Sequence, residues 1–385
     1  MFSLLCRSVL LALLSSAVFT AEGHPYASSS SPSALASETL GRRATVCNGH
    51  AELCDKTFGT VTFVGAHDSY AIGVNNVATN QDQSITQQLN DGIRMLQMQA
   101  HNQNGVIRLC HTSCSLFDGG SLQDYLTLVK QWLDANPNEV LSLLIVNIDN
   151  LPPANYDTVF KAVGLDAVSY APSSSPIAQT SWPTLGSMID SGKRLLTFLD
   201  NAADLTAVPY LMDEFSNIWE TEFNVVDPSF NCDVNRTHST DPTTQMFLIN
   251  HFLDKIVLGV PVPFVAQLNV TNAASGAGSL GAQVDTCKAA HGRAPNFLLV
   301  DFYEYGAGSV FQVAAGINGV TYSPTSPIAA PKSTSSGTST SGSSQPTTSV
   351  TTSSLSGATS NISTNPLFTY IFSAISLMLG SLIIF

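Results

Sequence analysis

Positive charge is what this chain has least of. In 385 residues 15 Lys and Arg stand against 28 Asp and Glu, and charged residues make up only 11% of the whole. Between Ala44 and Ser356 the count is 12 against 26, a net of −14. So few cations argue against a nucleic-acid partner and against electrostatic docking on anionic membranes, and suit an extracellular domain. Cysteine is sparse too. Cys6 falls in the leader, and the other six (Cys47, Cys54, Cys110, Cys114, Cys232 and Cys287) contain no CxxC pair, which makes zinc a poor reading. An even set in an exported chain reads as disulfides. Short loops favour Cys47–Cys54 and Cys110–Cys114, which leaves Cys232–Cys287. The third absence is at the C-terminus. Leu367–Phe385 is apolar, yet no Lys or Arg follows it, as one would behind a stop-transfer helix.

What the two ends do contain defines the domain between them. Residues 1–23 have one basic residue, Arg7, an apolar core from Val9 to Leu14 and small residues after it, which is the pattern of a secretory signal. Residues 24–43 are rich in Ser, Ala and Pro and end in Arg42-Arg43, which reads either as a propeptide processing site or as an ordinary exposed basic pair. Residues 323–356 are a Ser/Thr-rich stalk, expected to be flexible and O-glycosylated. Small residues at Ser356-Gly357-Ala358, a polar spacer and the apolar tail match a GPI attachment signal, with Ser356 as the attachment site and 357–385 removed. Asn235 and Asn269 head glycosylation sequons in the retained chain. The expected location is therefore the cell surface or wall, with the membrane reached through the anchor.

One domain, residues 44–322, remains. Thr60–Val64, Ile93–Ala100, Glu139–Asn147, Arg194–Leu199, Phe215–Trp219, Gln245–Asn250, Val260–Leu268 and Asn296–Tyr303 read as strands. Helices are expected at Ser84–Asn90, from Ser121 to the Asn136-Pro137 stop, near Tyr156–Val163 and near Ala282–Ala290. About eight parallel strands alternating with helices favour an α/β fold of the TIM-type (β/α)8 barrel over an open sheet. Val106–His111 follows the turn Asn102-Gln103-Asn104-Gly105 too closely for a crossover, so it folds back antiparallel. That puts His111 roughly level with Gln97. His67 and Asp68 lie just past the end of the first strand, where barrels do their chemistry. Two histidines facing each other there suit a reaction in which one imidazole takes a proton and the other gives one.

Gly65-Ala-His-Asp-Ser69, the run from Gly92 to Gln99, Arg108–His111, Asn136–Glu139 and Phe297–Tyr303 together resemble the phosphatidylinositol-specific phospholipase C X-domain superfamily, the PLC-like phosphodiesterases, and within it the secreted, anchored fungal branch. The resemblance covers roughly Cys47 to Tyr322. It implies a TIM-barrel phosphodiesterase acting on inositol phospholipids or glycosyl-inositol anchors. It implies His67 as the base that deprotonates the inositol 2-hydroxyl, Asp301 as its orienting partner, and His111 as the acid, paired with Asp68. In the family the second strand ends in a pair spaced i and i+2, Asp then Arg in bacterial enzymes and two acids in calcium-dependent ones. Here that pair is Gln97 and Gln99, with His101 in phase as a possible cationic substitute for binding substrate. Glutamine neither neutralises phosphate as Arg does nor replaces carboxylates around calcium, so neither a metal nor another cofactor is expected. Restoring Arg at Gln99, with Asp at Gln97, is expected to raise turnover. The alternative is a weakened barrel kept as a surface or wall binding protein. A metal-dependent glycerophosphodiesterase would need acids at both glutamine positions.

Overall fold

A computed structural model of the chain describes residues 43–74 and 76–332. The leader, the propeptide segment up to residue 42, the stalk beyond 332 and the attachment signal with Ser356 lie outside the described residues. In chain order the elements begin β1 (Phe63–Ala66), α1 (Ile85–Asp91), β2 (Met95–Gln103), β3 (Val106–Cys110) and β4 (Asp118–Ser121). Next come α2 (Leu122–Ala135), β5 (Leu141–Asn147), α3 (Pro153–Val163), α4 (Leu185–Asp190), β6 (Leu195–Leu199), β7 (Leu211–Asp213), α5 (Glu214–Asn217) and β8 (Ile218–Glu220). The chain continues through β9 (Met246–His251), β10 (Asp254–Val257), β11 (Val260–Pro263), α6 (Leu268–Thr271), α7 (Leu280–His291), β12 (Phe297–Val300) and α8 (Ser309–Asn318).

Eight of the strands pair in parallel in the order β7-β6-β5-β2-β1-β12-β9-β8. First and last barrel strands, β1 and β12, are neighbours, as a curled sheet requires. β7 and β8 share no pairing, so this TIM-type barrel is irregular and stays open along that one seam. Alternate residues of each strand face inward. Along the body of the strands these are apolar: Phe63, Met95, Leu144, Phe198, Phe297 and Leu299 form one core cluster with Phe58 and Trp182. The ring centroids of Phe58 and Phe63 are 5.0 Å apart, and those of Phe63 and Phe297 5.8 Å, so aromatics plug the lower end. The other parity packs outward on the helices. The buried face of α2 is Leu122, Tyr125, Leu126, Val129, Trp132 and Leu133, with the Ser121 hydroxyl capping the Asp124 amide.

Three sequence expectations change. The run Phe215–Trp219 is not one strand: β7 ends at Asp213, α5 makes a single turn, and Trp219 belongs to β8. Val260–Leu268 is not a barrel strand either. Only Val260–Pro263 is extended, and it pairs antiparallel with β10 in a separate hairpin. Pro261 and Pro263 have no N–H for a central ladder, which confines the segment to such an edge. The eighth barrel strand is instead β7. Finally, residues 323–332, read as the start of the stalk, lie against the domain. The Ala330 carbonyl accepts from Gln83 Nε2 at 2.8 Å, and the amides of Ala329 and Lys332 donate to Asp91 and Asp82. All three disulfides pair as expected, Cys47–Cys54, Cys110–Cys114 and Cys232–Cys287. Asn235 and Asn269 are exposed.

Candidate active site

The inward parity that carries Phe63 and Phe297 at the bottom carries His67 and Asp301 at the mouth. Because Ala66 pairs with both Val300 and Leu96, the next residues His67, Asp301 and Gln97 come level. His67 Nδ1 and Asp301 Oδ1 are 2.8 Å apart. Asn80 Nδ2 donates to both Asp301 oxygens at 3.1 and 3.2 Å, which fixes the carboxylate behind the ring. The opposite ring nitrogen, Nε2, is left facing the mouth, 3.7 Å from Asp68 Oδ2. The same Asp68 oxygen is 3.4 Å from His111 Nε2. His111 Nδ1 donates to the Ala78 carbonyl at 3.0 Å, so in the protonated ring both N–H groups face an acceptor.

Backbone strain sits beside each of these groups. Asp68 (φ 39°), Thr112 (φ 60°) and Phe302 (φ 42°) all occupy the left-handed region without being glycine, and each lies at or immediately after a site residue. The hairpin that brings His111 here turns at Asn104-Gly105, both at positive φ, with Gln103 paired to Val106. Continuing that register past Ala100 and Leu109 sets His111 opposite Met98, one residue beyond the Gln97 expected from counting.

Electrostatics follow from one histidine held among carboxylates. Burial alone would lower the His67 pKa, but the charges of Asp68 and Asp301, the Asp301 hydrogen bond and the charge of Asp254 outweigh it and raise it to about 9. Burial pushes the Asp301 carboxyl up, and His67 and Asn80 draw it down. Asp254 is pushed up to about 7 by burial and by Asp301, against the pull of His67. The Phe252 ring stacks on His67 with centroids 3.8 Å apart and planes 3° from parallel.

Gln97 and Gln99 are both at the mouth, yet they grip Asp68 and its neighbours. Gln97 Oε1 accepts the Asp68 amide at 2.6 Å, and Gln99 Nε2 donates to Asp68 Oδ2 at 2.8 Å. Two such committed amides do not make a calcium cradle. Among the described residues, no group of three or more His, Cys, Asp or Glu side chains is placed to hold a metal ion. His101 is buried, and its Nε2 has no partner among the described residues. No hydrogen bond or ion pair joins it to His67, Asp68, His111 or Asp301, so the structure does not bring it into their network. Arg94 pairs with Glu139 and Arg108 with Asp118, both away from the mouth as strand alternation requires. Sequence reasoning missed Asn80, Phe252 and Asp254. Asn80 lies in the run Thr79–Gln83, which is wholly buried although every residue in it is polar, and local pattern carries no signal for that. Asp254 opens a hairpin of which only the second strand fell in a run read from the sequence as a strand, Val260–Leu268.

A curled parallel α/β barrel with a two-imidazole, carboxylate-backed mouth at its strand ends defines a class, the PLC-like barrels. The PI-PLC X domain model (PI-PLC X 1) matches residues 53–318, and this chain belongs to that family. It is 45% identical over 285 residues to an "Uncharacterized secreted protein" of Arthroderma benhamiae, covering 72% of this chain and 64% of that one. It is likewise 45% identical over 278 residues to the "PI-PLC X domain-containing protein 1" of the same fungus, covering 71% and 90%. The chain thus spans just under two thirds of the first relative. Among solved structures, a phosphatidylinositol-specific phospholipase C from S. aureus, a double mutant, is similar at a TM-score of 0.47 and 15% identity, over 70% of this chain and 95% of that one.

Proposed function

We propose that this chain is an extracellular phosphodiesterase of PLC type that cleaves inositol phospholipids or glycosyl-inositol phosphodiesters by metal-independent acid–base catalysis. The observation that carries this reading is the single Asp68 oxygen lying 3.4 Å from His111 Nε2 and 3.7 Å from His67 Nε2. In that reaction neutral His67 accepts at Nε2 the proton of the inositol 2-hydroxyl, whose oxygen attacks phosphorus. The phosphorus–oxygen bond to the lipid alcohol breaks, and His111 Nε2–H protonates the departing oxygen. The products are a cyclic inositol phosphate and the free alcohol. Asp301 holds His67, and Asp68 holds His111. Release of cyclic inositol phosphate from phosphatidylinositol vesicles tests this directly, and its absence at any pH would remove the reading.

A lipid source for the substrate is supported by the β10–β11 hairpin, which begins at Asp254 beside the site. Its tip exposes Ile256 (58%), Leu258 (62%) and Val260 (51%). Pro261 and Pro263 deprive β11 of donors for pairing with another strand, and the tip is far too small for a stable protein interface. Ile256→Asp with Leu258→Asp is expected to weaken binding to neutral vesicles by about tenfold or more, since each apolar side chain contributes roughly 1.5–3 kcal/mol on burial. Cleavage of a water-soluble inositol phosphodiester should be unchanged. Equal loss on both substrates would contradict this role for the hairpin.

The relative described as secreted and the three disulfides fit export. We carry forward GPI attachment at Ser356, and glycans at Asn235 and Asn269, as parts of the same reading. Deleting Leu367–Phe385 should send the protein to the medium, and retention of the truncated form on membranes would refute the anchor. One observation favours the binding-protein alternative: among the described residues no Lys or Arg hydrogen-bonds or pairs with His67, Asp68, His111 or Asp301, which leaves the phosphoryl charge to the imidazoles. A protein that binds inositol lipid and never turns it over is that alternative's signature.

A further inference from the structure

We propose that Gln99 is a positioning residue that ties the two histidine-bearing loops to each other through one side-chain amide. This rests on the reading of His67 and His111 as base and acid, and adds what sets their spacing. Gln99 Nε2 donates to Asp68 Oδ2 at 2.8 Å, the oxygen that both imidazoles face. Its Oε1 accepts from the Thr112 amide at 3.1 Å, directly after His111. One end of the amide therefore holds the His67–Asp68 loop and the other holds the His111 loop. Both anchoring residues, Asp68 and Thr112, have left-handed backbones, a conformation that persists only where surrounding contacts impose it. The Cys110–Cys114 disulfide and the Ala78 carbonyl fasten the same loop from other sides. The tether needs a side chain with a donor and an acceptor at equal reach. Arg offers donors only and an ionised Glu acceptors only, whereas an amide offers both. The orientation of this amide follows from its partners, a carboxylate on one side and an N–H on the other. An Arg here would leave the Thr112 amide without an acceptor, so these contacts argue against the gain in turnover expected from the sequence for Gln99→Arg.

The test uses the mature chain with Gln99→Glu, Gln99→Arg and Gln99→Met, read in two ways. First, with a soluble inositol phosphodiester, Gln99→Glu keeps the Thr112 acceptor but loses the donor to Asp68. It should lower kcat by about 10²-fold at neutral pH with KM within about twofold, as misplaced reacting groups do. Its deficit against the wild type should shrink with each step to lower pH, as the introduced carboxyl gains a proton and can donate again. Gln99→Arg should also lower kcat. A rise in turnover in Gln99→Arg, or a wild-type kcat in Gln99→Glu, would overturn the tether. Second, exchange of the Thr112 amide, followed by NMR, should quicken about tenfold or more in Gln99→Arg and Gln99→Met but not in Gln99→Glu. Unchanged exchange in both would overturn the proposal independently of catalysis. If the wild type cleaves nothing, the functional reading fails while the exchange result still decides the tether.

Discussion

His67→Ala is expected to abolish measurable cleavage of an inositol phosphodiester, a loss of about 10²–10⁴-fold from the missing proton acceptor alone. EDTA should leave the wild-type rate unchanged. Two features make His67 the residue on which most depends. Its Nδ1 is held by Asp301, itself fixed by Asn80, so Nε2 has one direction in which to accept a proton. It is also the cation that offsets the carboxylates of Asp68 and Asp301 and lies near Asp254, and no Lys or Arg among the described residues pairs with it. Its removal therefore takes away the base and leaves that wall of the mouth uncompensated. His67→Gln keeps the volume and a donor toward Asp301, and should fold better than His67→Ala while remaining inactive. Stopped-assay measurement of cyclic inositol phosphate decides this. Activity surviving in His67→Gln, or activity requiring calcium, would mean that different chemistry operates in this mouth.

How much of this site was legible beforehand follows from which contacts are local. The GAHDS turn, the strand before it and Asp301 at the end of the last strand could be placed because barrel strands keep strict parity. Phe63 inside means His67 inside, and Phe297 inside means Asp301 inside. The short hairpin after Gln103 forced His111 back toward Asp68, and a misjudged turn centre shifted its level by only one residue. What could not be read depended on distant chain. Asn80 reaches Asp301 across 221 positions, and Phe252 reaches His67 from the end of β9. Strand parity put the glutamine pair at the mouth, but nothing in the sequence shows what its amides hold. Only the paths of two loops show them occupied by Asp68 and Thr112. In the same way, Pro261 and Pro263 were visible as obstacles to a barrel strand, but the short β7 that takes its place has three residues and no periodicity to find.

Where His111 keeps its proton, kcat/KM on a soluble inositol phosphodiester should climb about fiftyfold between pH 7 and pH 9, because only neutral His67 can take a proton. Asp68 and Asp301 overcome burial and hold its pKa at about 9, so at pH 7 roughly one molecule in a hundred carries the base form, with a tenfold gain per pH unit. Stability should move the other way. A histidine whose folded pKa lies above its ordinary value near 6.5 adds stability that is complete below pH 6.5 and lost as pH rises through about 9, at most roughly 3 kcal/mol. Two buried carboxyls lower stability on the acid side of this window: Asp254, raised to about 7, and Glu304, raised by burial to about 8, each cost stability as pH rises from the ordinary carboxyl range through those values. The melting temperature should therefore fall across the interval in which activity rises. Asp301→Asn separates the two causes. Without that carboxylate His67 loses one of its main partners, so the rising limb should move to lower pH, with a smaller kcat because the ring is less firmly aimed. The thermal decline above pH 6.5 should flatten in the same variant. A limb that stays in place in Asp301→Asn would show that His67 is not the group whose deprotonation starts the reaction.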